Sequence, residues 1–296
     1  AGNHVLDVSG VSSISVDDGP ATASEGAALN SLNPAITFDV RDTADKIADE
    51  VSGTDKNGTE LDEAGVVRAS AGASVSDAPV SADEAEAIQS ITGYDASGSS
   101  YEIEDTAAEL ISATDAVLND VAVSNVEVIN GVNGGDEVTA VDGATLTSFS
   151  AEIDFDVMDT AQAIAAEVTG IGNASTDLDD AGRIFVTSGT VNVSDADAIQ
   201  AISGYNEGVK QGAVSYEISD NVSNLTGSSD STLTNGNINV TATNVANAGD
   251  GAILNGFTAN IDFDVADTAN AIAIEVASSG TGADSLDEAN NVAVVS

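Results

Sequence analysis

The chain has 296 residues, of which 42% are hydrophobic but only 3% aromatic, and it contains no Trp. Its 50 Asp and Glu against 6 Lys and Arg give a formal net charge of −44, which repels nucleic-acid phosphates and anionic lipid and argues against both as partners. The absence of Cys excludes disulfides and thiol chemistry, and no apolar run of about 18 residues predicts a membrane span.

The first clear pattern along the chain predicts a strand that runs directly into a helix. Ile36, Phe38 and Val40 alternate with polar residues, as in a strand with one buried face. The apolar residues that follow at helical spacing are Ala44, Ile47, Ala48 and Val51. Asp42 lies between the two patterns, where its carboxylate is expected to be the helix N-cap. The same role is expected for Asp105, Asp159 and Asp267.

This strand-to-helix segment is repeated. Residues 36–44 recur with few changes as residues 153–161 and 261–269, which gives a long period of about 110 residues. Such a period is typical of repeat architectures, in which each copy contributes one supersecondary unit to a shared core.

A second repeated segment follows each copy. Leu61–Gly65 corresponds to Leu178–Gly182 and to Leu286–Asn290, so that Gly becomes Asn at the third copy. Because Gly and Asn tolerate a left-handed backbone, we expect a left-handed turn at this position.

The middle of the long period is duplicated as well. Ala87–Tyr94 recurs as Ala198–Tyr205, and Tyr101–Asp105 recurs as Tyr216–Asp220. We interpret the repeated tyrosines as packing residues rather than a ligand platform. Between the strands, Ser81 has the spacing of a capping box with Glu84, which predicts a further helix start.

Together these patterns predict an α/β repeat protein, an elongated right-handed solenoid of short parallel strands, each followed by a short helix. The expected divisions of this continuous solenoid are a partial first repeat at 1–65, a second at 66–182 and a third at 183–296 that is truncated at its C-terminal end. Since Val292–Val295 matches the strand that begins at Val66, we expect the chain to be a fragment of a longer protein.

Aspartates also occupy the polar face of the repeated strand. Asp39, Asp156 and Asp264 alternate with the apolar residues and are expected on the solvent side. Like charges stacked on neighbouring strands are unfavourable. Either the adjacent strands carry Thr, Ser or Asn at these places, or cations bridge them.

Acidic residues concentrate in the predicted loops, where carboxylate oxygens are the ligands that calcium prefers. Two interpretations stay open, a well-hydrated acidic surface and a set of calcium sites. The candidate ligands are Asp17, Asp18, Asp62, Glu63, Asp177, Asp179, Asp180, Asp284, Asp287 and Glu288.

No pattern predicts catalysis. His4 is the single histidine and no motif places a triad partner for it, and neither a phosphate loop nor a dinucleotide fingerprint is present. The acids could supply a glycosidase pair, but the absence of Trp makes a ring-stacking sugar cleft hard to build. We expect a protein that is not an enzyme.

Tyr101–Leu110 resembles the strand–Asp–Thr–Ala–Ala–x–Leu repeats of very large surface proteins of cyanobacteria and other Gram-negative bacteria. The resemblance implies export, by a type I route, and a role outside the cell or at its surface in a surface layer, filament or adhesin. The expected partners are further copies of the protein and other surface components. The alternatives are a bacteriophage fibre or appendage protein and a carbohydrate-active enzyme on a solenoid scaffold.

Overall fold

The structure, a computed structural model, describes residues 14–15, 19–32, 36–54, 56, 58–70, 78–129, 131, 135–170, 177–205, 216–234, 238–278 and 286–295. His4, Asp17, Asp18 and Asp284 lie outside these residues. The fold is mixed α/β, with short parallel strands alternating with helices, as predicted. It divides into two compact units, one formed by residues 1–136 and 149–154 and the other by residues 137–148 and 155–296.

The strands of the described part are short. In chain order they are β1 (Ile14–Ser15), β2 (Ile36–Thr37), β3 (Asp39–Thr43), β4 (Val66–Ser70), β5 (Tyr101–Asp105), β6 (Val123–Val128), β7 (Glu137–Val138), β8 (Ile153–Asp154), β9 (Asp156–Asp159), β10 (Ile184–Val186), β11 (Thr190–Val191), β12 (Glu217–Asp220), β13 (Asn239–Ala242), β14 (Ile261–Asp262), β15 (Asp264–Asp267) and β16 (Asn291–Val294).

The helices between them are short as well. They are α1 (Ala23–Asn30), α2 (Ala44–Ser52), α3 (Ala82–Gln89), α4 (Ala107–Ser112), α5 (Asp115–Leu118), α6 (Ala140–Thr147), α7 (Ala161–Thr169), α8 (Val193–Ala201), α9 (Val222–Thr226), α10 (Asp230–Thr234), α11 (Ala248–Asn255) and α12 (Ala269–Ser278). Within the described ranges, none has the length and apolar character needed to cross a bilayer.

In the first unit, strands that follow one another in the chain pair side by side. The parallel pairs are β1 with β2, β3 with β4, and β5 with β6, which also pairs with β8. Parallel neighbours need a crossover connection, and in this unit the crossovers carry the helices. We use the term coil for a strand, or two strand segments in succession, together with the helix that follows, and pairing of the strands places their coils side by side.

The second unit follows the same rule. β9 lies between β7 and β10, β11 to β14 form a sheet in chain order, and β15 pairs with β16, all in parallel. The strand predicted at Val292–Val295 is confirmed as β16, which pairs with β15 as β4 pairs with β3.

The core consists of small and medium aliphatic side chains, as the composition indicates. The predicted strand face is confirmed, since Ile36, Phe38 and Val40 are all buried, and so is the predicted face of α2. The phenylalanine of each copy interrupts the strand, so that β2 and β3 are separate segments on either side of Phe38.

A glycine within a helix lies against this phenylalanine in all three copies. A Cβ atom on Gly26 of α1 would lie 2.7 Å from Val40 Cγ2 and 3.3 Å from Phe38 Cε2. In the same way, a Cβ atom on Gly143 of α6 would lie 2.8 Å from Val157 Cγ2, and one on Gly251 of α11 would lie 2.7 Å from Val265 Cγ2. Glycine in a helix interior costs about 1 kcal/mol relative to alanine. Here that cost is offset because only glycine lets the helix approach the strand so closely.

The strand-to-helix junctions differ from the prediction by one residue. The N-cap of α2 is Thr43 rather than Asp42, and α4 and α7 begin after Thr106 and Thr160 in the same way. The aspartates just before these threonines, and those before Asn221 and Thr268, have another role in common. In each, Oδ1 accepts the N–H of the following residue at 2.7 to 2.9 Å, and Oδ2 accepts the first N–H of the helix in the preceding coil at 3.0 to 3.1 Å.

These junction aspartates are Asp42, Asp105, Asp159, Asp220 and Asp267. Each places one carboxylate at the N-termini of two helices, where it satisfies N–H groups that have no partner within the helix and complements both helix dipoles. At the end of β13 the same place is taken by Asn244, whose Oδ1 accepts the N–H of Val222 at 2.8 Å. The junctions therefore connect successive coils by hydrogen bonds outside the strand ladder.

The expectation for the polar face of the strand is wrong at one of its three aspartates. Asp39 is exposed and Asp264 is half-buried, but Asp156 is only 3% exposed. It lies opposite Glu137 of β7, which is buried as well. Burial is possible because Arg183, on the neighbouring coil, places Nη2 2.8 Å from Asp156 Oδ2 and supplies a positive charge.

At the other two aspartates, the neighbour on the following strand carries no like charge. Val66 lies opposite Asp39, and Asn291 donates a hydrogen bond from Nδ2 to Oδ1 of Asp264 at 2.9 Å. At these two positions an uncharged residue on the paired strand avoids the charge conflict.

The left-handed turn expected at Gly65 and Gly182 is also wrong, because neither has a positive φ. The glycines are needed for space. A Cβ atom at Gly65 would lie 3.2 Å from Asp39 Oδ1, and the backbone N–H of Gly65 donates to Phe38 O at 2.8 Å. Positive φ occurs instead at Gly93 and Gly204, whose carbonyl oxygens accept hydrogen bonds from the strands of the preceding coil.

Candidate functional site

The acidic loops predicted as calcium ligands are regular turns that close each coil. Leu61, Leu178 and Leu286 are buried, and the acids that follow them are partly or fully exposed. In the first copy Asn30 fixes the turn, because its Oδ1 accepts the N–H of Glu63 at 3.0 Å and its Nδ2 donates to Thr59 O at 3.0 Å.

The third copy repeats this contact, since Asn255 Oδ1 accepts the N–H of Glu288 at 2.8 Å. The second copy uses its own acid instead, and Asp179 Oδ1 accepts the N–H of Ser203 at 3.2 Å. The structure thus places Asp62, Glu63, Asp177, Asp179, Asp180, Asp287 and Glu288 on or beside these turns.

The turns are not assembled into a metal centre in the part of the chain that the structure describes. Among those residues, no group of three or more His, Cys, Asp or Glu side chains is placed to hold a metal ion. The predicted acids that the structure describes lie on turns of three different copies, two in the first, three in the second and two in the third. Calcium binding at these turns stays a prediction, beside the alternative of a hydrated acidic surface.

A run of like charge crosses the three-stranded sheet of β5, β6 and β8 in the first unit. Glu104 of β5 is opposite Glu127 of β6, and Glu127 is opposite Asp154 of β8. We call Glu104, Glu127 and Asp154 the acidic ladder. Side chains directly opposite on paired strands are within a few ångströms of one another, so like charges there are unfavourable.

The ladder changes the acidity of its central member. Desolvation of Glu127, followed by the charges of Glu104, Asp154, Asp136 and Glu102, raises the pKa of the Glu127 carboxyl above its ordinary value. The raised pKa means that the folded chain binds a proton at Glu127 more tightly than the unfolded chain does.

A shallow groove of about 300 Å³ lies beside the ladder in the same unit. Asp120, Glu152 and Asp154 line it, together with the side chains of Asn119 and Asn125. Carboxylates and amide oxygens in this arrangement offer hydrogen-bond acceptors to a cationic or polyhydroxylated group. The groove and the ladder together are the candidate functional site of the first unit.

Two of the repeated tyrosines belong to the core, since Tyr101 and Tyr216 are 1% and 2% exposed, whereas Tyr94 and Tyr205 are half-buried. Gln89 Nε2 donates to the Tyr101 hydroxyl at 2.9 Å, and Gln200 Nε2 donates to the Tyr216 hydroxyl at 2.8 Å. Tyr94 donates to Asp120 Oδ1 at 3.2 Å, and burial raises the pKa of its hydroxyl. The hydroxyls of Tyr94, Tyr101 and Tyr216 therefore form hydrogen bonds within the fold, which supports a packing role.

The sequence analysis missed the ladder because strand register is not visible in a single sequence. A usable signal exists, since Glu104, Glu127 and Asp154 each stand directly between or beside apolar strand residues, and aligning those apolar residues brings the acids level.

Comparison with known proteins finds no matching family, no similar characterised protein and no matching solved structure.

Proposed function

We propose that the chain is a structural or adhesive repeat module of a bacterial surface filament, surface layer or adhesin, acting outside the cell by association of repeats rather than by catalysis. The observation that carries the proposal is the junction aspartate, which occurs five times with the same pair of hydrogen bonds. Each one joins two coils, so the most regular feature of the chain serves to hold an array together.

The repeated packing supports the same role. The helix glycine, the strand phenylalanine and the turn leucine meet in each copy, as at Gly143, Phe155 and Leu178. A fold in which each coil contacts mainly its neighbours can be lengthened by adding coils, which is the property that filaments and layers use.

We propose further that the coils of each unit wind as a right-handed solenoid with a long period of about 110 residues. Parallel strands joined by helical crossovers wind right-handed in nearly all cases. Small-angle X-ray scattering tests the solenoid. The proposal expects a cross-section only two layers wide, whereas scattering from a compact sphere of the same mass would contradict it.

The charge fits a surface role. A net charge of −44 on 296 residues keeps an exported array hydrated and favours a saline or calcium-containing medium, in which self-repulsion is screened. Immunogold electron microscopy of intact source cells with antibodies against this chain tests the location. The proposal expects gold on external fibres or a lattice, and gold confined to the cytoplasm would contradict it.

A further inference from the structure

The helix α12 and the strand β16 present an apolar face that is covered in the two earlier copies. α12 has no buried residue, and its Ile272 and Val276 are only half-buried, whereas the equivalent Ile164 and Val168 of α7 are buried. On β16, Val292 and Val294 are 48% and 66% exposed. Apolar side chains exposed side by side on a helix and a strand mark a surface that another element covers.

The equivalent strand residues show how large the difference is. Val67 and Ala69 of β4 are 0% and 1% exposed, and Ile184 and Val186 of β10 are 0% and 6% exposed. The helices agree, since Ala48 of α2 and Ala165 of α7 are buried while Ala273 of α12 is exposed.

The earlier copies also show what covers this face. α2 packs against α3, and α7 packs against α8. The covering helices share a buried stripe of small and branched residues, namely Ala82, Ala85 and Ile88 in α3 and Val193, Ala196 and Ile199 in α8.

The covering coil also completes the strand. The Val67 N–H donates to Gly93 O and the Asp95 N–H donates to Val67 O, both at 2.9 Å, and the Ile184 N–H donates to Gly204 O at 2.9 Å. Val292 occupies the same place in the third copy, and among the described residues β16 pairs with β15 alone and leaves its other edge open. An open parallel edge with an apolar face accepts one more strand and its helix.

We infer that the α12–β16 face is a docking surface for a coil of the α3 and α8 type, with a stripe of Ala or Val, then Ala, then Ile at every third residue, a Gly-Tyr turn and a following strand. The inference rests on the proposed stacking of coils and deepens it, because it names the sequence type of the partner. A second copy of the chain using another surface is the competing occupant.

The test uses the absence of Cys from the natural chain. Ala273→Cys is placed in the full chain and in a chain extended after Val295 by residues 71–119, which carry the α3-type coil. Labelling of the thiol introduced at position 273 is expected to be fast in the first protein and slower by about tenfold or more in the second, because a buried thiol reacts only through local opening. Hydrogen exchange of the α12 amides in unsubstituted proteins gives a second readout that introduces no cysteine.

The matched control extension carries Ala85→Asp and Ile88→Asp in the appended segment, which should remove the protection. Equal labelling with and without the natural extension would overturn the inference, and so would equal protection by the control extension. Slow labelling of the unextended chain together with a dimer mass by light scattering would assign the face to a second copy instead.

Ala165→Cys separates this inference from the proposed function. Its site lies under α8 and should label slowly in the unextended chain. If the thiol at position 165 is protected while the extension leaves the thiol at position 273 reactive, stacking stands and the docking inference fails. If both thiols label equally fast, the proposed stacking itself fails and takes the inference with it.

Discussion

Asp159 accepts a hydrogen bond from the backbone N–H of Ala140, 19 residues earlier in the chain, at 3.1 Å. Its other oxygen accepts the N–H of Thr160 at 2.7 Å. Asp159→Ala removes both bonds at once and deprives two helix N-termini of this acceptor. Since one such cap contributes about 0.5 to 2 kcal/mol, the free energy of unfolding should fall by about 2 kcal/mol in urea titrations at fixed salt.

Asp159→Asn should cost less, because an asparagine keeps one acceptor oxygen, as Asn244 shows at the end of β13. The exposed Asp180 provides a control of equal charge change, and Asp180→Ala should alter stability by less than about 0.5 kcal/mol. Equal losses for Asp159→Ala and Asp180→Ala would show that the junction carboxylate contributes nothing specific.

Helix α11 contains a matched pair of glycines that tests the close approach of helix and strand. A Cβ atom at Gly251 would lie 2.7 Å from Val265 Cγ2, whereas the nearest atom to a Cβ at Gly249 is 3.4 Å away. Gly251→Ala should therefore destabilise the chain by about 1 to 3 kcal/mol through overpacking.

Gly249→Ala should be neutral or raise stability by up to about 1 kcal/mol, because alanine is the better helix former. Thermal unfolding by circular dichroism distinguishes the two variants. A gain in stability at both positions would mean that α11 does not pack on the strand as described.

The acidic ladder predicts a stabilising substitution. Glu127→Gln removes the central charge between Glu104 and Asp154 and should raise the free energy of unfolding at pH 7 by about 0.5 kcal/mol, a small value because Glu127 is only partly buried and solvent screens the charges. The gain should shrink at high salt. The exposed Glu86 gives a control with the same change in net charge. If Glu86→Gln stabilises as much, the gain comes from net charge and not from the ladder.

The ladder also sets the direction of a pH effect. The pKa of Glu127 is raised in the folded chain, so the folded state binds more protons than the unfolded state between the ordinary and the raised pKa. Through that window, rising pH lowers the stability of the natural chain relative to Glu127→Gln. The difference between the two should disappear below the ordinary carboxyl pKa, and a difference that grows on acidification would contradict the assignment.

Salt should stabilise the chain, since 50 acidic residues repel one another most strongly in the folded state. The unfolding midpoint is expected to rise with NaCl, and a fall would contradict this interpretation of the charge.

Calcium at equal ionic strength separates the two interpretations of the acidic turns. Ligation predicts a further rise that Asp179→Asn with Asp180→Asn reduces, and an equal rise with both salts assigns the turns to hydration.

The local pattern of the fold was readable from the sequence, because alternation and helical spacing depend only on neighbours along the chain. Phe38 and Ile47 are buried as their spacing predicts, and Ser81 with Glu84 forms the predicted capping box. What the sequence did not reveal depends on contacts between coils. Asp42 looked like a cap for its own helix because the N–H of Ala23 is brought to it only by stacking.

The same reason explains the candidate site. The sequence pattern predicts that Asp156 faces solvent, because it does not show that Arg183 lies beside this carboxylate. It also gives no sign that strand register places Glu127 between Glu104 and Asp154. The sequence predicts the acidic character of the turns. It does not show that the side chains of Asn30 and Asn255 accept backbone N–H groups of two of these turns.

The order in which coils stack can be measured with cysteine pairs in the second unit. Thr190, Glu217 and Asn239 are exposed and lie opposite one another on β11, β12 and β13. Neighbouring strands are about 4.8 Å apart, within disulfide range, and strands two apart are about twice as far and out of range. Oxidation of double cysteine variants should therefore close disulfides between 190 and 217 and between 217 and 239 but not between 190 and 239, as read by mass spectrometry. A 190–239 disulfide that forms as readily as the other two, or the failure of both neighbouring pairs, would contradict coil-by-coil stacking.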